Sequence, residues 1–300
     1  MTKAKMVVLI NREGGAAKAA GEKLEDQVIA AFEKAGGTAD VRMLAAEGMD
    51  KAIKRAAKEE TRFVIAGGDG TVAAAAQVLT GSKIELAILP LGTLNHFAKD
   101  LGIPLKLEGA AALALHGKAE AIDVGEVNAR RFINNASVGL YPFMVRDRDD
   151  IRERRGWPKW LATVPASWDA LSRLRHHRLK IDLGDGKQPV VTPLLFIGNN
   201  RYSLEAGAVG ARESLTEGKL AVYAIASSSR AGLLWFGMRA LVGLADRARD
   251  FATIGVSAAF TVQSSDANID IALDGEVQRI KLPAKFKVRP GGLQVVVPKA

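Results

Sequence analysis

Cysteine is absent from the 300 residues, which excludes disulfides, thiol nucleophiles and thiolate metal sites and suits a reducing compartment. Long apolar runs are also missing. No stretch approaches eighteen uninterrupted apolar residues, so no transmembrane helix is expected. The opening Met1 to Ile10 is basic and then apolar, but the run stops at Asn11, too short for a signal-peptide core, and reads as a first strand. There is no Walker A loop, because Gly81-Ser82-Lys83 has neither its spacing nor its order. No repeat or low-complexity tract stands out apart from alanine-rich residues 15–20 and 73–76. What is present is the composition of a folded protein, 48% hydrophobic and 25% charged. The net charge of +9 calls for an anionic partner. Residues 146–180 hold ten Lys or Arg against five Asp or Glu, together with Trp157, Trp160 and Trp168.

The first part of the chain alternates strand and helix patterns, the sequence form of a parallel sheet covered by helices. Strands are predicted at Lys5–Ile10, Thr38–Leu44, Arg62–Ala66 and Ile84–Leu89. Helices are predicted at Ala17–Ala35, Met49–Glu59, Val72–Leu79, Thr93–Leu101 and Leu107–His116. From Ala121 onward strands follow one another: Ala121–Val127, Arg131–Asn135, Leu179–Leu183, Thr192–Gly198, Leu220–Ala226, Ala258–Val262 and Ile269–Leu273. Such runs point to an antiparallel sheet or sandwich. Pro158–Arg175 and Ser229–Phe251 are long enough for helices, and Phe286–Arg289 with Leu293–Val297 is read as a closing hairpin across Pro290-Gly291-Gly292.

Gly67-Gly68-Asp69-Gly70-Thr71 follows the apolar strand Val64-Ile65-Ala66 and opens a helix. Such a turn exposes backbone N–H groups at a helix N-terminus, where they and the macrodipole attract phosphate. Asp69 would repel that phosphate without a cation between them, which points to Mg²⁺ or to water held for Mg²⁺. The other reading is a strand-to-helix turn in which Asp69 is a helix cap. Gly68-x-Gly70-x-x-Ala73 also fits a dinucleotide fingerprint, but the acidic residue wanted at the end of the next strand is absent. Leu89-Pro90-Leu91-Gly92-Thr93-Leu94-Asn95-His96 is a second strand-turn-helix, with Thr93 at the expected N-cap. Two such loops at neighbouring strand ends form one crevice at the carboxyl edge of the sheet.

In these ordered motifs the sequence resembles the diacylglycerol kinase catalytic-domain family, which includes bacterial lipid kinases, sphingosine kinases and ceramide kinases. Asn11-Arg12-Glu13-Gly14-Gly15 resembles the family's first nucleotide loop, with Arg12 in place of its proline. Ile122-Asp123-Val124-Gly125 looks like its domain-junction motif, whose aspartate belongs to the Mg²⁺ and water network. Asn134-Asn135-Ala136-Ser137-Val138-Gly139 resembles the opening of its lipid-binding domain, and Asp274-Gly275-Glu276 its late Asp-Gly-Glu, which faces the nucleotide. Further departures are plain: His96 stands where the family often has aspartate, Glu217 where some members have an aspartate for a structural Mg²⁺, and Leu44-Ala45-Ala46-Glu47 offers no threonine where the family has one that contacts nucleotide after the second strand.

The resemblance implies an ATP- and Mg²⁺-dependent lipid kinase acting on a hydroxyl of diacylglycerol, ceramide or a sphingoid base. It implies α/β architecture, with a Rossmann-like parallel-sheet nucleotide domain over residues 1–122 and a mainly antiparallel β-sandwich lipid domain over 123–300. The active site is expected in the cleft between them. Nucleotide binding falls to Asn11, Gly14, Gly15, Gly67, Gly68, Gly70, Thr71, Thr93 and Asn95, and Mg²⁺ to Asp69 and Asp123, in part through water. An alcohol attacks poorly until a positioned base accepts its proton. Glu276 is the first choice for that base; Asp274 is either the base instead or the group that positions Glu276 or a water.

A kinase of a membrane lipid must reach the interface, and Lys or Arg beside Trp, Phe and Leu are the residues that do so. Segment 146–180, centred on Gly156-Trp157-Pro158-Lys159-Trp160-Leu161, is one candidate for an anionic membrane surface. The helix over 229–251 is the other, with core packing as its competing reading. No nucleic acid is expected, and the protein is read as cytoplasmic and peripherally membrane-associated. A soluble kinase of the NAD kinase type and a catalytically silent lipid-binding protein are the alternatives.

Overall fold

The computed structural model describes residues 5–21, 23–139, 177–202, 212, 214–225 and 251–299. The expected helix over 158–175, the basic and tryptophan-bearing core of segment 146–180, and nearly all of the apolar segment 229–251 lie outside them. The chain divides into two compact units. Unit 1 comprises residues 1–124, 215–217 and 289–300, and unit 2 residues 125–214 and 218–288.

Unit 1 begins with β1 (Lys5–Asn11), α1 (Gly15–Ala20), α2 (Lys23–Lys34), β2 (Thr38–Leu44), α3 (Ala46–Glu59) and β3 (Arg62–Gly67). It continues with α4 (Asp69–Leu79), β4 (Glu85–Pro90), α5 (His96–Asp100), α6 (Leu107–His116) and β5 (Lys118–Val127), whose last residues enter unit 2. The single helix expected over 17–35 is two, parted at Gly21, which has φ 59°. Strands β1, β3 and β4 are buried on both faces, as a covered parallel sheet requires. Met6, Val8 and Ile10 of β1, with Val64, Ala66, Ala87 and Leu89, pack against α2 and α6. The alternate residues face the side that carries α3 and α4. At the foot of the sheet Arg62 ties α6 down: its guanidinium donates to the carbonyls of Ala114 (3.0 Å) and Gly117 (3.1 Å) and to Glu85 Oε2 (2.6 Å).

Unit 2 holds β6 (Arg130–Phe132), β7 (Asn135–Gly139), β8 (His177–Asp182), β9 (Lys187–Thr192), β10 (Leu194–Asn199) and β11 (Leu220–Ile225). Then follow β12 (Phe251–Ser257), β13 (Ala259–Gln263), β14 (Asn268–Leu273), β15 (Glu276–Lys281) and β16 (Ala284–Val297). One antiparallel sheet runs β12-β11-β10-β7-β14-β15. Opposite it the first half of β16, β13, β8 and β9 pair antiparallel. Val138, Leu195, Ile197, Val222 and Ile271 from the first meet Leu179, Ile181, Val262, Phe260 and Phe286 from the second. The last two rings stack at 4.8 Å. The expected mainly antiparallel, two-layered second domain is therefore present.

The strand read across Arg131–Asn135 is two strands, β6 and β7, and β9, β12 and β15 were not foreseen. The larger correction is at 286–297, where no hairpin forms. β16 is one strand: Ala284–Lys287 pairs antiparallel with β13 in unit 2, and Gln294 and Val295 pair parallel with β4 in unit 1. The backbone at Pro290-Gly291-Gly292 is engaged rather than turned back, since Gly291 N–H donates to Asp123 Oδ1 (2.9 Å) and Gly292 O accepts from Gly81 N–H (2.8 Å). Unit 1 thus has the parallel order β2-β1-β3-β4-β16.

Candidate functional site

In the order 2-1-3-4 the chain leaves β1 toward one side and returns to β3 on the other, which puts the topological switch between those strands. Ligands of such sheets bind outside the carboxyl ends there. Three loops emerge at that edge, after β1, β3 and β4.

The loop after β1 is folded by Asn11, whose Oδ1 accepts the N–H of Glu13 (3.0 Å) while its carbonyl accepts that of Gly14 (3.1 Å). This is the local turn that Asn favours. The loop after β3 is pressed against that after β4. A Cβ on Gly92 would lie 2.5 Å from Gly68 Cα and 2.6 Å from Asn95 Oδ1, so the two backbones touch and only glycine fits. Leu91 N–H donates to Gly67 O (3.0 Å). Thr71 folds its side chain over Gly67, where a Cβ would lie 2.5 Å from Thr71 Oγ1. Gly68 holds the N-cap position of α4 and gives it no side-chain cap. The first turn of α4, with exposed Gly70, is thereby presented by backbone alone.

Asp69 is the first residue of α4, yet its carboxylate caps a different helix. Oδ1 accepts the N–H of Phe97 (3.1 Å) and Oδ2 that of His96 (3.2 Å), the first two residues of α5. One carboxylate therefore clamps two loops, and its charge sits favourably at two helix N-termini. Thr93, expected at the N-cap, is exposed in the preceding turn, with Oγ1 4.0 Å from where a Gly15 Cβ would stand. The N-cap position belongs to Asn95, left-handed at φ 50° and without a side-chain cap bond of its own to α5. The Asn95 amide instead closes its turn, accepting from Gly92 N–H (2.9 Å) and donating to Gly92 O (2.7 Å). Asn11, Gly14, Gly15, Gly67, Gly68, Asp69, Gly70, Thr71, Thr93 and Asn95 are thus gathered at one sheet edge. Asp123 lies on β5 of the same unit, 1% exposed, its N–H donating to Leu215 O (2.9 Å) and its Oδ1 holding β16 through Gly291. The next junction-motif residue but one, Gly125, is where the Phe132 ring lies, 2.2 Å from an added Cβ.

Asp274 and Glu276 lie in unit 2. Asp274 and Gly275, at φ 47° and 92°, make the two-residue turn from β14 to β15, and Glu276 opens β15 opposite Leu273 with its side chain exposed. Asp274 is no free carboxylate. It accepts the N–H groups of Ile133 (2.8 Å), Asn134 (2.7 Å) and Asn135 (3.1 Å). Burial pushes it up from 3.8 to about 6, against these three donors and the nearby Arg212, which pull it down. Arg212, 9% exposed, donates to Ile133 O (2.6 Å) and to Asn134 Oδ1 (3.0 Å). Asn199 and Tyr202 donate to the carbonyls of Ile133 and Asn134. This buried polar frame around residues 133–135 was missed from sequence apart from Asp274 and the Asn134-Asn135 pair. The consecutive Asn199-Asn200 at a strand end was the available signal for it.

Among the described residues no group of three or more His, Asp or Glu side chains is placed to hold a metal, and no helix is long and apolar enough to cross a membrane. The profile of the family described as the diacylglycerol kinase catalytic domain matches residues 5–127. A protein of Pseudomonas aeruginosa named "Probable lipid kinase YegS-like" is 32% identical over 94% of this chain and 92% of its own. One named "Diacylglycerol kinase" from Mycobacterium tuberculosis is 29% identical over 97% and 93%. The crystal structure of a diacylglycerol kinase from Bacillus anthracis superposes with a TM-score of 0.69 over 99% of this chain and 98% of that one, at 17% identity, and so shares the fold.

Proposed function

Because the chain belongs to the diacylglycerol kinase catalytic-domain family and is a lipid kinase by that membership, we propose that it transfers the γ-phosphate of ATP, with Mg²⁺, to a hydroxyl of a membrane lipid. Diacylglycerol is the first acceptor to test, and ceramide or a sphingoid base the next. The observation that carries the reading is the Asp69 clamp, which holds the glycine loops after β3 and β4 together at the carboxyl edge of a parallel sheet, beside its switch point. Likeness along 94% of the chain to a lipid kinase favours it over a soluble small-molecule kinase.

The phosphates of the nucleotide would lie along Gly67, Gly68, Gly70 and Thr71, where backbone approaches closely because no Cβ intervenes. Asn11, Gly14, Gly15, Thr93 and Asn95 shape the neighbouring walls, the two asparagines by closing turns. Mg²⁺ keeps most of its water and takes one or two carboxylates with substrate phosphates. Asp69, whose oxygens each accept one N–H, would hold it with remaining lone pairs or through water, and Asp123, 1% exposed with Oδ1 on Gly291, would act on it through water. When bound it neutralises charge on the transferred phosphoryl group. Glu276, exposed beside a rigid turn, accepts the proton of the lipid hydroxyl. Asp274 is a positioning residue whose oxygens set residues 133–135 and the turn before Glu276. In this scheme unit 1 is the nucleotide domain and unit 2 the lipid domain, so the expected boundary after residue 122 moves to 124 and residues 215–217 and 289–300 go to the first. The work is done at the cytoplasmic face of a membrane.

Mass spectrometry after incubation with ATP, Mg²⁺ and a panel of diacylglycerol, ceramide and sphingosine tests the reading directly. One lipid gains a phosphate, and Glu276→Gln slows this by roughly 100-fold or more while nucleotide still binds. A panel from which no lipid emerges phosphorylated overturns it.

A further inference from the structure

The second sheet of unit 2 has one face in the core and one in water. Leu179, Ile181, Phe260, Val262 and Phe286 point inward. By alternation the intervening residues point outward. Register sets them in rows: Lys187 beside Asp182, Asp182 beside Thr261, and Thr261 beside Lys285; Lys180 between Pro189 and Gln263; Arg178 beside Val191; Ala259 beside Lys287. Five exposed basic side chains, Arg178, Lys180, Lys187, Lys285 and Lys287, therefore share one face. Its acids are Asp182 and Glu126, and Glu126 is 5% exposed and paired with Lys287 at 3.1 Å. Val191, an apolar side chain 59% exposed, stands at the outer edge. A depression of about 540 Å³ opens on the face, lined by Glu126, Asn128, Asp182, Thr261, Lys285 and Lys287.

Lysine on sheets commonly guards an edge strand against pairing. That accounts for Lys187 and Pro189 on β9, an edge. It does not account for Arg178 and Lys180 on β8 or Lys285 and Lys287 on β16, which are interior strands with both neighbours paired. We propose that this face is the surface that rests on an anionic phospholipid bilayer, its cations over the phosphates and Val191 entering the headgroup layer. The inference rests on the lipid-kinase reading for its reason, since such an enzyme has to sit on the membrane that holds its substrate. Arg178 and Lys180 are the last two cations of the segment 146–180 already read from the sequence as a membrane contact, and Lys187, Lys285 and Lys287 lie outside it. A sheet face with five exposed cations against two acids, one of them paired, and an apolar residue at its rim suits a negatively charged membrane surface.

Co-sedimentation with vesicles of phosphatidylglycerol and phosphatidylcholine tests it. Each Lys or Arg near an anionic leaflet strengthens binding by roughly fivefold. The combined Arg178→Glu, Lys180→Glu and Lys285→Glu variant then loses vesicle affinity by about 100-fold or more. Lys287 is left intact because of its pairing with Glu126. Phosphorylation of lipid dispersed in detergent stays at the wild-type rate, because no bilayer is needed there. The glutamine versions of the same three positions, expected to lose affinity to a smaller extent, serve if the reversals do not fold. Equal binding of wild type and variant to phosphatidylglycerol vesicles overturns the proposal, as does equal binding of wild type to vesicles of phosphatidylcholine alone. Should wild type phosphorylate no lipid in detergent while the variant still loses the vesicles, the surface stands and the kinase reading falls.

Discussion

Asp69 and Asp274 are each tied to backbone N–H groups before any ligand arrives. Asp69→Ala removes the cap of α5 and is expected to cost about 1 kcal/mol in a urea titration. It also frees two loops whose misplacement by an ångström can slow turnover on the order of 100-fold. Unchanged ATP-dependent lipid phosphorylation in that variant sinks the phosphate-site assignment. Asp274 predicts a pH effect. Its folded value of about 6 lies above the ordinary 3.8, so the folded chain holds the proton more tightly than the unfolded one. Its contribution to stability is therefore greatest at the acid end and falls as pH rises through that window. Urea midpoints of wild type should decline from pH 4 to about 6 relative to Asp274→Asn, in which the titrating group is gone. Parallel curves would refute it. The sequence made these residues visible as types but not as bond partners. Asp69 was legible as either cap or metal ligand, yet the helix it caps begins 27 positions later, a relation no local pattern reports. Arg212 left no mark at all, because one buried arginine in a loop has no period.

Elements were legible where the apolar pattern was long. β2 and α6 match their expected bounds, and β1, β3 and β4 differ by a residue or so. Failures came where tertiary pairing overrode local signals. Pro290-Gly291-Gly292 reads as a turn, but Asp123 and the loop after α4 take its backbone groups and keep the strand running. β9, polar and with a proline, is a strand because it lies at an edge beside β8. Two substitutions probe the elements. Arg62→Ala strips α6 of its charged C-terminal donor and leaves Glu85 without its cation, which should cost about 2–3 kcal/mol in chemical denaturation. Gly92→Ala forces a Cβ to within 2.5 Å of Gly68 Cα. Overpacking of this kind costs about 1–3 kcal/mol, and calorimetric titration with an ATP analogue should show binding lost even where the fold survives. A variant that binds nucleotide normally would separate the loop contact from the site.

At the scale of the whole chain, the family profile ends at residue 127, but the sheet it belongs to does not. A fragment of residues 1–127 lacks the strand beside β4, leaving that edge unpaired and the buried Leu293, Val295 and Val296 absent. It should be molten or insoluble by circular dichroism and proton NMR, and a version carrying residues 289–299 on a flexible linker should recover dispersion. A well-folded fragment 1–127 would show the last strand to be dispensable. The sequence divided the molecule by its rhythm, regular before Asp123 and strand-on-strand after it. It had no means to show that residues from beyond the second unit close the sheet of the first.

That closing strand also orders events on the ribosome. Synthesis proceeds at roughly 5–20 residues per second, and the partner of β4 is not made until unit 2 has been. The nascent first unit thus waits with an open sheet edge for the ten seconds or more that residues 91–283 require at such rates. The loops that would grip a nucleotide stand on that unfinished sheet.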